Sequence, residues 1–406
     1  MNDIKAASFI AYKSITRSKK STTALIVFIL FLSFTNMMFI SGILNGFAEM
    51  VPQMFIDEVS SHITIGPQQK PVVKPFIVNQ TLLQSQIGTI PGVVATGRRY
   101  NLAGSVAYDK DKTGQYKSLS AGIGGIDPVE FTKVLPAFYE YTRYGQFLSP
   151  DDTDQIILST ALAGGYGDRA PDDLGGVQIG DKVRITYFNG MVRTYTVKGI
   201  WHDNMNVLMS FITVREAESV LGVSDNASQI FVKVDPSQNS LAGYLDKIKL
   251  LAPELKLQTY KEALGSFASL VGAMGLIASI VGTVSVLVAA VTLFILIYVN
   301  ASTRRRQIGI LRAIGVKQKI IVYSYMLQAL FYTFIGLLFG SLVAFGVLYP
   351  LFLKYPLDVD VGKISLIFTP LGIFAAFASF LVAGILSGYI PSKIVAKQDI
   401  VKAIWY

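Results

Sequence analysis

The chain has 406 residues, of which 51% are hydrophobic and 16% are charged, whereas an average soluble domain has about 25% charged residues. This composition argues against an ordinary soluble enzyme. The formal net charge of +9 suggests binding to nucleic acid or another acidic surface, unless the basic residues are explained by the orientation of a membrane protein. The absence of cysteine excludes disulfides, thiolate metal sites and cysteine nucleophiles.

The N-terminal segment, residues 1–20, has an amphipathic pattern. Ile4, Ala7, Ala11 and Ile15 fall opposite four basic side chains when the segment is drawn as a helix. We expect this cytoplasmic helix to lie along the inner leaflet and contact membrane lipid, and a disordered basic anchor is the alternative.

Four stretches without charged side chains are each long enough to cross a bilayer core about 30 Å thick. They are Ser21–Ala48, Ala263–Thr303, Ile320–Leu353 and Ile364–Ser392. The first has an apolar core longer than that of a signal peptide and no small-residue cleavage site, which predicts a retained helix. The second has 41 residues, or about 60 Å of helix, so we expect the first two helices to continue beyond the membrane as stalks.

The connecting segments predict the orientation of the chain. Residues 1–20, 304–319 and 393–406 contain 14 basic and two acidic residues, while the remainder contains 22 basic and 25 acidic residues. Because Lys and Arg are enriched in cytoplasmic loops, we expect both termini in the cytoplasm and the protein in the inner, cytoplasmic membrane. The net positive charge is then explained by the orientation of the chain in the membrane, and no nucleic-acid partner is predicted.

The segment between the first two spans predicts a large α/β extracytoplasmic domain, inserted between transmembrane helices 1 and 2 of an α-helical membrane protein with four transmembrane helices. The Asn189-Gly190 pair between two alternating runs predicts a β-hairpin. The predicted strands are His62–Ile65, Val93–Tyr100, Ser118–Ile123, Gln155–Leu158, Lys182–Phe188, Thr194–Ile200, Phe211–Val214 and Gln229–Val234. The predicted helices are Thr81–Ile87, Arg215–Leu221 and Leu241–Leu251.

The two ends of this domain share a strand–helix–strand pattern, which predicts two lobes. Residues 49–100 and 228–262 are predicted to pack together as a membrane-proximal lobe, and residues 101–227 to form an inserted, mainly β outer lobe. The remaining predicted segments are 21–48 (transmembrane helix 1 and stalk), 263–303 (transmembrane helix 2 and stalk), 304–319 (a cytoplasmic helix), 320–353 and 364–392 (transmembrane helices 3 and 4), and 393–406 (a cytoplasmic tail).

The sequence of the domain contains no catalytic or metal-binding pattern. His62 and His202 lack the additional histidine or cysteine ligands that a zinc site requires. One aromatic run suggests a substrate or partner surface, because exposed aromatic side chains with an arginine are typical of such surfaces, and packing in the domain core is the alternative. Its residues are Tyr139, Tyr141, Arg143, Tyr144 and Phe147.

The loop after the second span predicts a short amphipathic helix at the inner membrane face. Ile308, Ile310, Leu311 and Ile314 are assigned to one arc of a helical wheel, with basic side chains on the other arc. Gly315 is placed to end this helix in a left-handed cap. A simple positively charged anchor is the alternative.

The loop sequence RRRQIGILRAIG, Arg304–Gly315, closely resembles that of FtsX-like, MacB-type ABC transporter permeases. The order of one span, a large domain and three more spans is similar to that family along essentially the whole chain, and Gly42–Phe47 resembles its lipoprotein-releasing branch most. The resemblance implies a coupling helix that docks on a separate ATPase subunit, with Gln307 replacing a usual glutamate. The implied coupling residues are Arg304, Arg305, Arg306, Gln307, Ile308, Gly309, Leu311, Arg312 and Gly315.

Ridges of small residues predict close helix packing, either within one chain or between subunits. They are Gly336, Gly340 and Ala344 in the third span, and Ala375, Ser379 and Ala383 in the fourth. The spans contain no ionisable residue, which argues against the ion relay of a secondary transporter.

The leading hypothesis is a permease subunit that is not itself an enzyme, because the sequence lacks a G-x-x-x-x-G-K-[ST] phosphate loop. It would pair with a second copy or a paralogue and move a lipoprotein, peptide or amphiphile, with an extracytoplasmic carrier, adaptor or hydrolase as a further partner. The partner ATPase would bind ATP and magnesium, and this chain no cofactor. The alternatives are a non-transporting regulator of a cell-wall hydrolase and a receptor or scaffold without an ATPase.

Overall fold

The structure is a computed structural model that describes residues 3–17, 20–68, 76–140, 142–166, 172–202, 207–359 and 362–397. In this part of the chain, four helices are long and apolar enough to cross a membrane. They are Thr23–Val59, Phe267–Thr303, Gln318–Lys354 and Pro370–Ala396. The prediction of four transmembrane helices with an α/β domain between the first two is therefore confirmed.

The chain divides into two units. The helical unit is formed by Met1–Met50, Ser269–Val359 and Lys363–Tyr406, and the inserted domain by Val51–Ala268 with Asp360–Gly362. The chain begins with α1 (Asp3–Thr16) and α2 (Lys20–Met54), and α2 continues into a π-helical turn, Phe55–Val59.

The inserted domain contains twelve strands and seven helices among its described residues. The strands are β1 (Ile63–Gly66), β2 (Ile77–Val78), β3 (Val93–Tyr108), β4 (Lys117–Ile126), β5 (Thr142–Gly145), β6 (Gln155–Ser159), β7 (Lys182–Tyr187), β8 (Val192–Trp201), β9 (Met209–Thr213), β10 (Asn226–Ala227), β11 (Gln229–Val234) and β12 (Lys256–Thr259). The helices are α3 (Gln80–Gly88), α4 (Pro128–Val134), α5 (Ala137–Glu140), α6 (Thr160–Ala163), α7 (Val214–Leu221), α8 (Leu241–Leu251) and α9 (Tyr260–Ala263).

Four strands at one end of the main sheet form a ferredoxin-like unit in the order β12-β1-β11-β3, in which all neighbours are antiparallel. Apolar side chains on one face of these strands form a buried cluster with α3 and α8. Ile63 and Ile230 from the strands meet Leu83 and Ile248 from the two helices in this cluster. The two strand–helix–strand units noted in the sequence therefore interleave in one sheet.

Five further strands close with β3 into a six-stranded barrel, in the order β3-β4-β9-β6-β8-β7, because β7 pairs with both β3 and β8. A second buried cluster is built from the barrel strands, with Val106, Ile123, Ile185 and Val197 among its members. The predicted lobe boundary after Tyr100 lies in the middle of β3, which contributes to both the barrel and the ferredoxin-like unit. The two parts of the domain thus share one continuous strand.

The helical unit continues with the remaining elements of the chain. They are α10 (Ser266–Thr303), α11 (Arg305–Ala313), α12 (Gln318–Val343), a π-helical turn (Ala344–Leu348), α13 (Tyr349–Lys354), β13 (Leu357–Val359), β14 (Gly362–Ile364) and α14 (Pro370–Ala396). The prediction that the fourth helix starts at Ile364 is wrong, because this residue ends β14. The helix begins at Pro370, where the side chain of Thr369 accepts a hydrogen bond from the backbone N–H of Gly372 and proline occupies the first helical position.

The core of the helical unit is formed by α2, α10, α12 and α14. Phe34 on α2 is fully buried and contacts Phe377 and Phe380 on α14 edge-on, with ring centroids 5.1 and 5.3 Å apart. Large parts of α10 remain exposed, for example Leu276 at 69%. An exposed apolar surface on a membrane helix is suited to contact with lipid or with another membrane protein.

Candidate functional site

The loop helix α11 ends in the predicted left-handed cap. Gly315 has a φ of +96°. Its N–H donates to the carbonyl of Arg312 at 3.0 Å, and the N–H of Val316 donates to the carbonyl of Leu311 at 3.0 Å. These are the two hydrogen bonds of a Schellman motif, so the predicted cap at Gly315 is confirmed. The helix itself, Arg305–Ala313, is shorter than the predicted segment 304–319 because α12 already begins at Gln318.

One side of α11 is buried in the helical unit. Ile308 is 6% exposed, and Gly309 beside it is also buried. The side chain of Ile308 lies in a cluster with residues from the end of α10, the start of α12 and the end of α14. The other members of this cluster are Ile297, Ala301, Ile321, Val322, Tyr325, Ala329, Val395 and Ala396.

Hydrogen bonds fasten both ends of α11 to other helices. Arg304 Nη1 donates to Ser14 Oγ of α1 at 2.6 Å, and Ser14 Oγ donates to Gln328 Oε1 of α12 at 3.1 Å. At the other end, Arg312 Nη1 donates to the carbonyl of Ala396, the last residue of α14, at 3.0 Å. A cation at a helix C-terminus is also favoured by the helix dipole. The two ends of α11 are thereby hydrogen-bonded to α1 and α14, and through Ser14 to α12.

The opposite side of α11 is exposed and carries both cations and apolar side chains. Ile310 is 47% exposed and Ile314 is 72% exposed, and Arg306 and Gln307 are exposed beside them. The prediction of one apolar arc is therefore wrong. Ile310 follows Ile308 by two residues, which is a rotation of about 200° around a helix, so the two side chains point to opposite sides.

The other predicted coupling residues differ in exposure. Arg305 is exposed, whereas Leu311 and Arg312 are half-buried. The helix thus presents a mixed surface of arginine, glutamine and isoleucine on the side that faces away from the helical core.

The small residues predicted in α12 lie against α2. A Cβ atom on Gly336 would stand 2.7 Å from Leu30 Cβ, and one on Gly340 would stand 2.7 Å from Phe34 Cδ1. Ala344 is fully buried in the same core. This ridge was predicted to pack either within one chain or between subunits. Its observed contacts are within the chain.

The small residues predicted in α14 differ in burial. Ala375 is exposed, Ser379 is half-buried and Ala383 is 7% exposed. The close approach of α14 to α12 instead uses Gly384 and Gly388, where a Cβ atom would stand 2.5 Å from a Thr333 side-chain oxygen and 2.9 Å from an Ala329 methyl carbon, respectively. Gly384 directly follows Ala383, the last residue of the predicted ridge, and Gly388 lies one helical turn further on.

Two glycines of α2 allow a non-helical segment to run along that helix. The N–H of Ile367 donates to the carbonyl of Gly42 at 3.0 Å. A Cβ atom on Gly46 would overlap the carbonyl oxygen of Ser365, and one on Gly42 would stand 2.7 Å from Phe368 Cε1. The Gly42–Phe47 segment therefore contains a close backbone contact that a larger side chain would disturb.

The aromatic run of the inserted domain is divided between two contacts. The rings of Tyr139 and Phe147 lie edge-on with centroids 5.8 Å apart, and Tyr139 is 61% exposed. Tyr144 instead contacts Tyr166, at 4.7 Å between ring centroids. Tyr141 lies outside the described residues, as does the side chain of Arg143. The described aromatic side chains of the run thus form two separate pairs, and a role in binding stays a prediction.

Charged groups near the start of the inserted domain interact with one another. Lys233 Nζ lies 3.1 Å from Asp57 Oδ1, and His62 Nδ1 accepts a hydrogen bond from the N–H of Val234 at 3.4 Å. Burial lowers the pKa of His62, the charge of Lys233 lowers it further, and Asp57 opposes this effect.

Among the described residues, no group of three or more His, Asp or Glu side chains is placed to hold a metal ion.

A buried hydrogen-bond chain stabilises the barrel. Tyr195 OH donates to Glu216 Oε1 at 3.0 Å and lies 2.7 Å from Tyr187 OH. Burial raises the pKa of Tyr187 to about 12 and raises that of Tyr195 as well, so both phenols are protonated at neutral pH. These hydrogen bonds connect the β7–β8 hairpin to α7.

The β7–β8 hairpin confirms the prediction made from the Asn189-Gly190 pair, and Gly190 has a φ of +83°.

Two family models together match most of the chain. Residues 23–243 match the MacB-like periplasmic core domain, and residues 265–400 match the FtsX-like permease C-terminal domain. The chain belongs to the MacB-like ABC transporter permease family. With its four apolar helices, this MacB-like permease is a multi-pass membrane protein.

Individual relatives of this MacB-like permease are distant in sequence. The macrolide export ATP-binding/permease protein MacB of Acinetobacter baylyi is 23% identical over 75% of this chain and 46% of its own length. The pyoverdine export ATP-binding/permease protein PvdT of Pseudomonas savastanoi pv. phaseolicola is 29% identical over 29% of this chain and 17% of its own length. The chain thus spans less than half the length of these relatives.

A solved structure is also similar. The crystal structure of the periplasmic region of MacB from Actinobacillus actinomycetemcomitans superposes with a TM-score of 0.38 and 13% sequence identity. The match covers 54% of this chain and 98% of that chain.

Proposed function

We propose that this MacB-like permease converts ATP-driven motion of a separate ATPase subunit into movement of its inserted domain. The observation that carries the proposal is the two-sided character of α11. One side is bound to α1, α10, α12 and α14, through Ile308, Arg304 and Arg312. The other side exposes Ile310 and Ile314 with neighbouring cations, as a docking surface on an ATPase requires.

Charge supports the orientation in this proposal. Residues 304–319 contain six cations and no acidic residue, which favours the cytoplasm for α11, both termini and the ATPase, on the inner side of the cytoplasmic membrane. In α1, Ala7 and Ala11 are buried whereas Phe9 and Tyr12 are each 64% exposed. The exposed aromatic side chains and nearby lysines of α1 are suited to the lipid headgroup region.

ATP and magnesium belong to the ATPase in this proposal, because the sequence contains no phosphate-loop motif. The working unit is a pair of permease chains, either two copies or one copy with a paralogue. Its substrate is a lipoprotein, peptide or amphiphile, exported or extracted from the membrane and passed to an extracytoplasmic carrier or adaptor. The export of a macrolide and of pyoverdine named for the two relatives supports movement of a substrate away from the cytoplasm.

The test changes Ile314, the exposed apolar residue that directly follows α11. We expect Ile314→Asp to weaken binding of the ATPase about tenfold or more, because it places a charge in an apolar contact while removing little packing from the permease. The chain is purified from membranes of its own organism, and the co-purifying ATPase and its ATP hydrolysis are measured.

The matched control is Phe188→Asp, which places the same charge at an apolar side chain 79% exposed on the inserted domain. This control is expected to retain the ATPase. Equal ATPase recovery with both variants would contradict the proposed docking surface, and complete absence of an ATPase from the unsubstituted protein would contradict the proposed function.

A further inference from the structure

A polar groove of about 410 Å³ lies on the ferredoxin-like unit of the inserted domain. Strand alternation sends Thr64, Gln229 and Gln258 to the face opposite the one that packs on α3 and α8. The residues that line the groove are Thr64, Gly66, Pro67, Phe76, Asn101, Ser228, Gln229, Lys256 and Gln258. Its volume is within the range of small-molecule sites, about 300–1,000 Å³.

The groove is rich in hydrogen-bond donors. Arg99 Nη2 lies 2.6 Å from the side-chain amide of Gln229. Because a guanidinium can only donate, the atom it contacts is the amide oxygen, and the amide nitrogen of Gln229 is left to donate to a ligand. In the same way, Ser228 Oγ accepts from the N–H of Asn101 at 3.0 Å, which leaves its hydroxyl proton available.

The charge around the groove is positive. Lys256 lines it, and no acidic side chain is among the described residues that do so. Arg99 stands behind Gln229, with its guanidinium 4.9 Å from the ring centroid of Phe231. Burial lowers the pKa of Arg99 to about 10, so the group stays charged at neutral pH. Residues 51–268 contain 20 basic and 22 acidic residues, so the positive charge is local to the groove.

We propose that this groove binds the carboxylate of a small hydrophilic ligand. Lys256 supplies the opposite charge, and the amide nitrogen of Gln229 and the hydroxyl of Ser228 supply neutral donors. Lys256 is the one charged side chain among the described residues that line the groove, so it matches a single negative charge, and Phe76 provides an apolar wall for the rest of the ligand. Such a carboxylate occurs at the C-terminus of a short peptide and on an acidic sugar.

The experiment uses the whole chain in nanodiscs of zwitterionic lipid, with binding measured by calorimetry and saturation-transfer NMR. One pair of probes is N-acetyl-trialanine with a free or an amidated C-terminus, and the other is N-acetylmuramic acid or N-acetylglucosamine. We expect an acidic probe to bind about tenfold or more tightly than its neutral counterpart. Lys256→Gln should weaken that binding about tenfold, which corresponds to about 1.4 kcal/mol.

The matched control is Lys247→Gln, which removes the same charge from an exposed position on α8 outside the groove. This variant should bind the probe as the unsubstituted protein does, and Gln229→Ala should weaken binding like Lys256→Gln. Preferential binding of the acidic peptide or of the acidic sugar identifies the source of the carboxylate.

Three results would overturn the assignment: equal binding of acidic and neutral probes, equal losses in Lys256→Gln and Lys247→Gln, or no binding of any probe. Co-purification of the ATPase is measured on the same variants. It depends on α11 and not on this groove, so failure of the carboxylate site and failure of the proposed coupling function are distinguishable.

Discussion

Replacement of Gly46 by alanine tests the close contact between α2 and the segment that precedes α14. The new methyl group would overlap the carbonyl oxygen of Ser365, and this obstacle is backbone, which cannot rotate away. Overpacking of this kind costs about 1–3 kcal/mol. Alanine is intrinsically better than glycine in a helix by about 0.5–1 kcal/mol. The helix gain subtracted from the overpacking cost predicts that Gly46→Ala lowers the free energy of unfolding by about 0.5–2 kcal/mol.

The assay is reversible denaturation in detergent, followed by circular dichroism. Gly275→Ala in α10 is the matched control, because a Cβ atom there would meet nothing within 4 Å, and we expect no loss of stability. Gly42→Ala should fall between the two, since the atom in its way belongs to the movable ring of Phe368. Equal stability of the Gly46→Ala and Gly275→Ala proteins would refute the argument from backbone contact.

Two further predictions concern the inserted domain. Tyr195→Phe should lower the free energy of unfolding by about 1–3 kcal/mol, because it removes a buried donor from Glu216; an unchanged denaturation midpoint would contradict this. Hydrogen bonds from Thr81 lower the pKa of Asp225, so its contribution to stability is present above the unfolded pKa of about 3.9 and is lost as pH falls through the folded pKa. Asp225→Asn should therefore reduce the thermal midpoint at pH 7 and progressively less below about pH 4, and a pH-independent difference would argue against this linkage.

Local sequence signals predicted many of the elements. The Asn189-Gly190 turn has its own conformational preference, and α8 occupies the predicted Leu241–Leu251 because its apolar positions recur at helical spacing. The β2, β5 and β10 strands and the short helices α4, α5, α6 and α9 were not predicted as separate elements. Most of them have only two to four residues, too few to establish a period.

The closure of the barrel could not be predicted from local patterns. It depends on residues 104–107 of β3 pairing with β7 while the same strand pairs with β4 along its other edge. It also requires the parallel pair β4–β9, in which Gly122 is the partner of the distant Met209. A hydrophobic pattern reports which face of a strand is buried, but it does not identify the partner of a distant edge.

The loop helix α11 shows what a count of apolar residues leaves out. Ile308 is buried against other helices of the permease, whereas Ile310 and Ile314 are exposed, because at 100° per residue they lie about 160° and 120° around the helix axis from Ile308. A signal for one further contact of this region was present in the sequence. Gln328 is a long polar side chain within an apolar span, and such a residue needs a hydrogen-bond partner when buried.

The arginines of the loop have two different physical roles. The rule that basic residues are enriched in cytoplasmic loops counts all of them and does not distinguish these roles. Arg304 and Arg312 direct their guanidinium groups into contacts with α1 and α14, so their charge is used within the permease. Arg306 is exposed beside Gln307 on the side that carries Ile310. If α11 transmits force, the inward pair passes it to the other helices, and the exposed side sets how firmly the ATPase holds α11. Under the proposed function, specificity for the ATPase and transmission through the permease would then depend on different residues of α11 and of its N-cap, Arg304.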